Sequence, residues 1–246
     1  MSSATEKGNA SNLANFNELI TSVIAIGPDY VPANNILTVQ SMKSQSLQCR
    51  SAMDRVITSF AAFKAAVDSR EQVFDQMNRH ISRILNTLKS SDVPAATIET
   101  CKSIARRLQG KRAVPKRTLE EVQADKAAGI EYIERSSSQR SYDNQVENFA
   151  LLLEQLISVP GYKPNEKELQ TDFLKTLLSE MRQKNAEVMS ARLALKDARL
   201  QRNEVMYREG TGIVPVAMSV KAYVKGAFGQ SSAHFKKISP LSFRKR

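Results

Sequence analysis

Apolar residues in the first half of the chain recur at alternating steps of three and four: Val39, Met42, Cys49, Met53, Val56, Phe60, Phe63, Val67, Phe74, Met77, Ile81, Ile84 and Leu88. Only Ser46 and Arg70 interrupt the stripe. A helix turns once every 3.6 residues, so this spacing keeps one face apolar over its whole length. It predicts a very long helix from Ala33 to Lys89, roughly 85 Å if continuous, packed in coiled-coil fashion against another long helix. A second stripe, less regular, runs through Leu177, Met181, Val188, Ala191, Leu195, Ala198 and Val205, broken by Lys184 and Arg202. Its helix is expected to begin after Pro164, with Asn165 as cap and Glu168 closing a capping box. Gly210, Gly212 and Pro215 should end it, because Gly and Pro cost about 1 and 3 kcal/mol inside a helix. A further helical arm is then expected from Ile213 to about Phe228.

The two stripes belong to an internal repeat. A shift of 132 residues pairs identical residues at Tyr30/Tyr162, Pro32/Pro164, Leu37/Leu169, Lys43/Lys175, Arg50/Arg182, Val56/Val188 and Ala62/Ala194. It continues at Lys64/Lys196, Ala66/Ala198, Arg70/Arg202, Val73/Val205, Ile81/Ile213 and Lys89/Lys221. Many other pairs exchange one apolar residue for another, such as Cys49/Met181 and Phe74/Met206. Upstream, Asn15-Phe16 matches Asn148-Phe149 after a slip of one residue. Each copy therefore reads as helix, turn, very long helix and arm. The expected layout is a disordered amino terminus (1–10), a first helical repeat (11–117), a linker with a short helix (118–140) and a second repeat with a basic tail (141–246). In the linker, Thr118 can cap a helix through Tyr132, and Ser136-Ser137-Ser138 reads as a joint.

Composition agrees with this layout. Nine Gly, eight Pro and no Trp among 246 residues, with abundant Ala, Leu, Gln, Lys, Arg and Glu, favour helix over sheet. The fold expected is all-α: an elongated antiparallel helical bundle made of two tandem divergent repeats. No apolar run reaches the roughly 20 residues needed to cross a bilayer, and residues 1–13 lack the pattern of a secretory signal. Cys49 and Cys101 stand far apart without a Cys or His partner in sequence, as buried thiols of a reducing cytoplasm would. A cytoplasmic protein is expected.

The net charge of +11 is unevenly placed. Residues 101–117 hold seven Lys or Arg and no acid, and so do residues 221–246; without those fourteen the chain carries −3. Arg106, Arg107, Lys111, Arg112, Lys236, Lys237, Arg244 and Lys245 are thus the candidate anion-binding residues, able to meet nucleic acid or an acidic membrane surface through phosphates. The plainer reading is that cations near helix C-termini complement the dipole, each by about 0.3 to 1 kcal/mol. Neither segment has the interleaved aromatics of a single-strand platform. Residues 212–228 resemble a cationic amphipathic peptide, but Ile213, Val216, Val220 and Val224 at helical spacing read more simply as core.

The sequence carries no catalytic or cofactor motif. A phosphate loop, HExxH, GxSxG, GxGxxG and paired CxxC are all missing. His80 and His234 stand alone among basic or apolar neighbours, and Glu120, Glu121, Glu166 and Glu168 occupy expected first helical turns, where the dipole accounts for them. No catalytic, cofactor-binding or metal-binding residue is assigned, and no cofactor or small-molecule substrate is expected.

The segments Tyr162-Lys163-Pro164-Asn165-Glu166, Ala198-Arg199 with Arg202-Asn203, Tyr223-Val224-Lys225-Gly226-Ala227-Phe228-Gly229, and Phe243 resemble a family of uncharacterised bacterial all-helical proteins with two related halves. The resemblance covers about 85 residues directly, and the first half only through the repeat. It implies a cytoplasmic bacterial protein and supplies no activity, cofactor or binding residue. The function expected is a non-enzymatic helical scaffold or interaction protein, with a protein partner or a second copy docked on apolar helix faces. The alternative is sequence-independent polyanion binding through the basic ends, and a third reading is a pore-forming effector that unpacks residues 212–228 into lipid.

Overall fold

The computed structural model describes residues 4–110, 118–128 and 141–244. Among these the chain is all-α, with no strand. Its helices are α1 (Ala4–Ile24), α2 (Val39–Ser90), α3 (Ala95–Leu108), α4 (Leu119–Ala127), α5 (Tyr142–Ile157), α6 (Thr171–Tyr207), α7 (Ile213–Phe228) and α8 (Ala233–Ile238). Among the described residues no helix is long and apolar enough to cross a membrane. The far end of the linker helix expected to reach Tyr132, and the joint at Ser136-Ser137-Ser138, lie outside the described residues.

These helices form two compact units that do not follow chain order. The first combines Met1–Phe63 with Ala191–Arg246, and the second is Lys64–Ser190. In the first unit, Phe16, Leu19 and Val23 of α1 pack with Met42 and Cys49 of α2, Met206 of α6, and Ile213, Val216, Val220 and Val224 of α7. The apolar face of residues 212–228 is therefore core. In the second unit, Phe74, Met77, Ile81 and Leu88 of α2 close on Cys101 and Ile104 of α3, Phe149 and Leu152 of α5, and Leu174 and Met181 of α6. Both cysteines are free and buried.

The long helices begin later than the expected starts at Ala33 and after Pro164, for a shared local reason. Tyr30 Oη donates to the Leu37 carbonyl at 2.8 Å, and Tyr162 Oη to the Leu169 carbonyl at 2.8 Å. Each bond holds a short 3-10 turn, Asn35–Leu37 and Lys167–Leu169, ahead of the helix. Asn34 caps the first turn by accepting from the Ile36 amide, and Thr38 accepts from the Ser41 amide, so α2 starts at Val39 and not at Ala33. Asn165 does not cap α6, and Glu168 closes no capping box; it pairs instead with Arg83. The break after α6 falls where glycine demands it. Gly210 has φ +73°, and Gly212 is the N-cap of α7.

At the other end, α1 takes in residues 4–10, which composition assigned to a disordered terminus. Asn9 and Asn12 are buried there, held by residues some 200 positions away in sequence. Local periodicity carries no trace of such contacts. Phe60 also departs from expectation: it stands in the apolar stripe of α2 yet is 48 % exposed. Beside it, Val56 and part of Phe63 on α2 pack with Leu195 and Ala198 of α6. A two-helix seam is narrow, and a ring on its flank stays in water.

Candidate interaction surfaces

Large apolar side chains remain exposed on the long helices of the first unit. Leu47 and Ile57 of α2 are 72 % and 66 % exposed, and Leu193 and Leu200 of α6 are 58 % and 54 %. Leu193 and Leu200 lie seven residues apart, two turns along one face. On the opposite face of α6, Leu195 and Ala198 are buried. The helix therefore presents an apolar line on each side, of which the first unit covers one.

The basic residues singled out in sequence divide between the units. Arg106 and Arg107 stand half-buried in the last turn of α3, in the second unit. Lys236 and Lys237 occupy the last turn of α8, in the first unit, and are exposed. Arg244 is exposed too, but its backbone is fixed as described below. Lys111, Arg112 and Lys245 lie outside the described residues. Lys221, counted with the basic tail, is spent inside the fold: its Nζ donates to the carbonyls of Ser239 at 2.8 Å and Leu241 at 3.0 Å, satisfying peptide groups just past α8.

That contact belongs to a clasp the sequence did not disclose. The segment after α8 lies along α1, with Leu241 buried and Phe243 against the core. Asn12 grips both backbone polar groups of one residue: its Nδ2 donates to the Arg244 carbonyl at 3.0 Å, and its Oδ1 accepts from the Arg244 amide at 2.9 Å. Asn15 Nδ2 donates to the Ser242 carbonyl at 2.6 Å. Behind Asn12, Asn9 orients its amide oxygen toward the Arg202 guanidinium, 3.2 Å away, and its nitrogen toward Tyr207 Oη at 2.6 Å. Asparagine is a poor helix former, so its recurrence at 9, 12 and 15 inside α1 was the available signal.

In the second unit a cleft of about 690 Å³ opens between α2, α5 and the end of α3. Phe74, Leu108 and Tyr142 line it, the two rings meeting edge-on at 4.7 Å. The Arg70 guanidinium lies 3.6 Å from the centre of the Tyr142 ring, a cation–π contact. Glu71 and Asp75, one turn apart and exposed, supply negative charge, and Gln145 of α5 completes the wall.

Of the histidines, His80 is buried edge-on to Phe173 at 5.5 Å. Burial lowers its pKa, with the nearby Glu168 carboxylate opposing. His234 packs on Phe228 at 5.2 Å. Burial pushes the Cys49 thiol up to about 11, against the pull of Arg50 and Arg202, and raises the Cys101 thiol as well. Thiols so placed are poor nucleophiles at neutral pH. Among the described residues, no three His, Cys, Asp or Glu side chains converge as a metal would require. No family model, curated protein or solved structure matches the chain.

Proposed function

We propose that this chain is a non-enzymatic helical interaction protein, built as two diverged copies of one antiparallel long-helix design, that docks a helical face of another protein molecule or of a second copy. The observation that carries it is the exposed apolar line of α6, Leu193 and Leu200, with Leu47 and Ile57 on α2. Each such side chain contributes about 1.5 to 3 kcal/mol when taken fully from water, so a few of them on a helix suffice to hold a second helix without other chemistry. Support for a common design comes from the matched Tyr30 and Tyr162 bonds, the matched 3-10 turns, and the burial of both members of the pairs Cys49/Met181, Val56/Val188 and Ile81/Ile213.

The test is mass by light scattering, with capture on the immobilised chain, for the wild type and for Leu193→Glu with Leu200→Glu. Both positions are exposed, so the variant should keep its helicity by circular dichroism. The wild type is expected to self-associate or to retain a partner, and the variant to lose that association by at least tenfold, the equivalent of about 1.4 kcal/mol. A wild type that is monomeric and retains nothing, or a variant that associates as before, would overturn the reading.

A further inference from the structure

We propose that the exposed line of α6 docks a second copy of this chain, the two α6 helices running parallel about a two-fold axis with Leu193 against Leu193 and Leu200 against Leu200. This rests on the reading of that line as a docking face, and adds its occupant and direction. In residues 191–207, the part of α6 that belongs to the first unit, Leu195 and Ala198 are buried while Leu193 and Leu200 are exposed. The charged side chains beside the leucines are sorted by sign. On a helix, the residue three positions after a leucine and the residue one before it fall to one side of the line, and the residue four positions after it falls to the other. Arg192, Lys196 and Arg199 therefore form one edge, and Asp197 and Glu204 the other. All five are exposed. Glu204 pairs with Arg208, Oε1 to Nε 3.0 Å, and a carboxylate keeps acceptor sites for a second donor.

This arrangement selects both the partner and its direction. Two helices side by side and parallel about a two-fold axis bring the basic edge of each beside the acidic edge of the other, on both sides of the seam. Arg192 then lies beside Asp197 of the second copy, and Arg199 beside Glu204 of the second copy, each five positions on. Turning one helix end for end would set base against base on one side and acid against acid on the other, which repels. A strip with one basic and one acidic edge is thus complementary to itself, as an interface between two-fold-related copies must be. A partner of a single sign would call instead for one sign on both edges. The leucines attract without direction, and the edges supply the direction.

The experiment compares three chains by light scattering: the wild type, a basic-edge variant (Arg192→Glu with Arg199→Glu) and an acidic-edge variant (Asp197→Lys with Glu204→Lys). All four positions are exposed, so each variant should fold normally, which its helicity checks. The wild type is expected to dimerise and each variant alone to associate about tenfold more weakly or worse. An equimolar mixture of the two variants should recover dimers, because the exchanged charges pair again on both sides of the seam. Direction is read from Leu200→Cys under mild oxidation. A parallel pair sets the two residues 200 opposite each other, within reach of a disulfide, and Leu47→Cys, equally exposed to solvent on α2, controls for random collision. A monomeric wild type, edge variants that associate as the wild type does, a mixture that recovers nothing, or a disulfide at 200 no faster than at 47 would each overturn the proposal. A monomer that captures another protein, and releases it in Leu193→Glu with Leu200→Glu, would overturn only this pairing and leave the docking face standing; a monomer that captures nothing would remove both.

Discussion

Tyr30 and Tyr162 each close a turn by donating a phenolic hydrogen to a carbonyl seven residues on. Burial is the main cause that pushes Tyr162 up to about 12, with Glu166 and Cys101 adding to it. Burial, then Tyr223, does the same for Tyr30, also to about 12. The folded protein thus keeps protons that the unfolded chain releases from about pH 10. This contribution to stability is complete below pH 10 and is lost as pH rises toward 12. Urea unfolding at pH 9, 10 and 11 should show a decline that is shallower in Tyr162→Phe, a variant expected to cost about 1 kcal/mol at neutral pH through the lost bond. Equal slopes for the two proteins would show that Tyr162 does not titrate differently on folding. The pairing of these tyrosines was visible in sequence as an identity at a shift of 132. Their acceptors were not, since a backbone carbonyl leaves no mark on residue identity. For the same reason Asn12 drew no expectation from the sequence, and Lys221 counted only as part of a basic segment, although their partners are backbone groups of Arg244, Ser239 and Leu241.

Among the elements, the two long helices and the arm α7 were legible because a sustained period of 3.6 needs many residues to agree. Their starts were not. A proline and a capping residue announce that the chain turns, but a 3-10 turn can follow before the helix settles, as at Asn35–Leu37 and Lys167–Leu169. The link between α6 and α7 tests this level. At Gly210, φ +73° is a left-handed conformation, and alanine there should cost about 1 to 2 kcal/mol. At Gly212, an added Cβ would lie 2.7 Å from the Met206 carbonyl oxygen and from the Arg208 amide nitrogen. Backbone atoms cannot swing aside as side chains do, so Gly212→Ala is expected to destabilise more than Gly210→Ala in thermal unfolding. The reverse order would show that the turn yields more easily than its geometry implies.

At the level of the whole molecule, each unit has its own core, and the first is assembled from both halves of the sequence. The stripes alone could not reveal this, because a helical face records that it is buried and not which partner buries it. Phe16→Ala should cost about 3 to 5 kcal/mol. By hydrogen exchange, the resulting loss of protection should concentrate in residues 4–63 and 191–244, sparing α3 and α5. Acceleration spread evenly over the chain would mean that the units unfold as one. The clasp has one more consequence, set by the order in which a ribosome makes the chain. Residues 64–190 leave the exit tunnel as a consecutive stretch and can close their core while synthesis continues. Residues 4–63 emerge first, yet must wait for Leu241 to be buried and for Arg244 to reach Asn12, 232 positions away. During that interval Phe16, Leu19 and Val23 lack their native cover. Of the two stretches, the one made earlier is thus the later to fold, and it is the one a nascent-chain chaperone would have to shield.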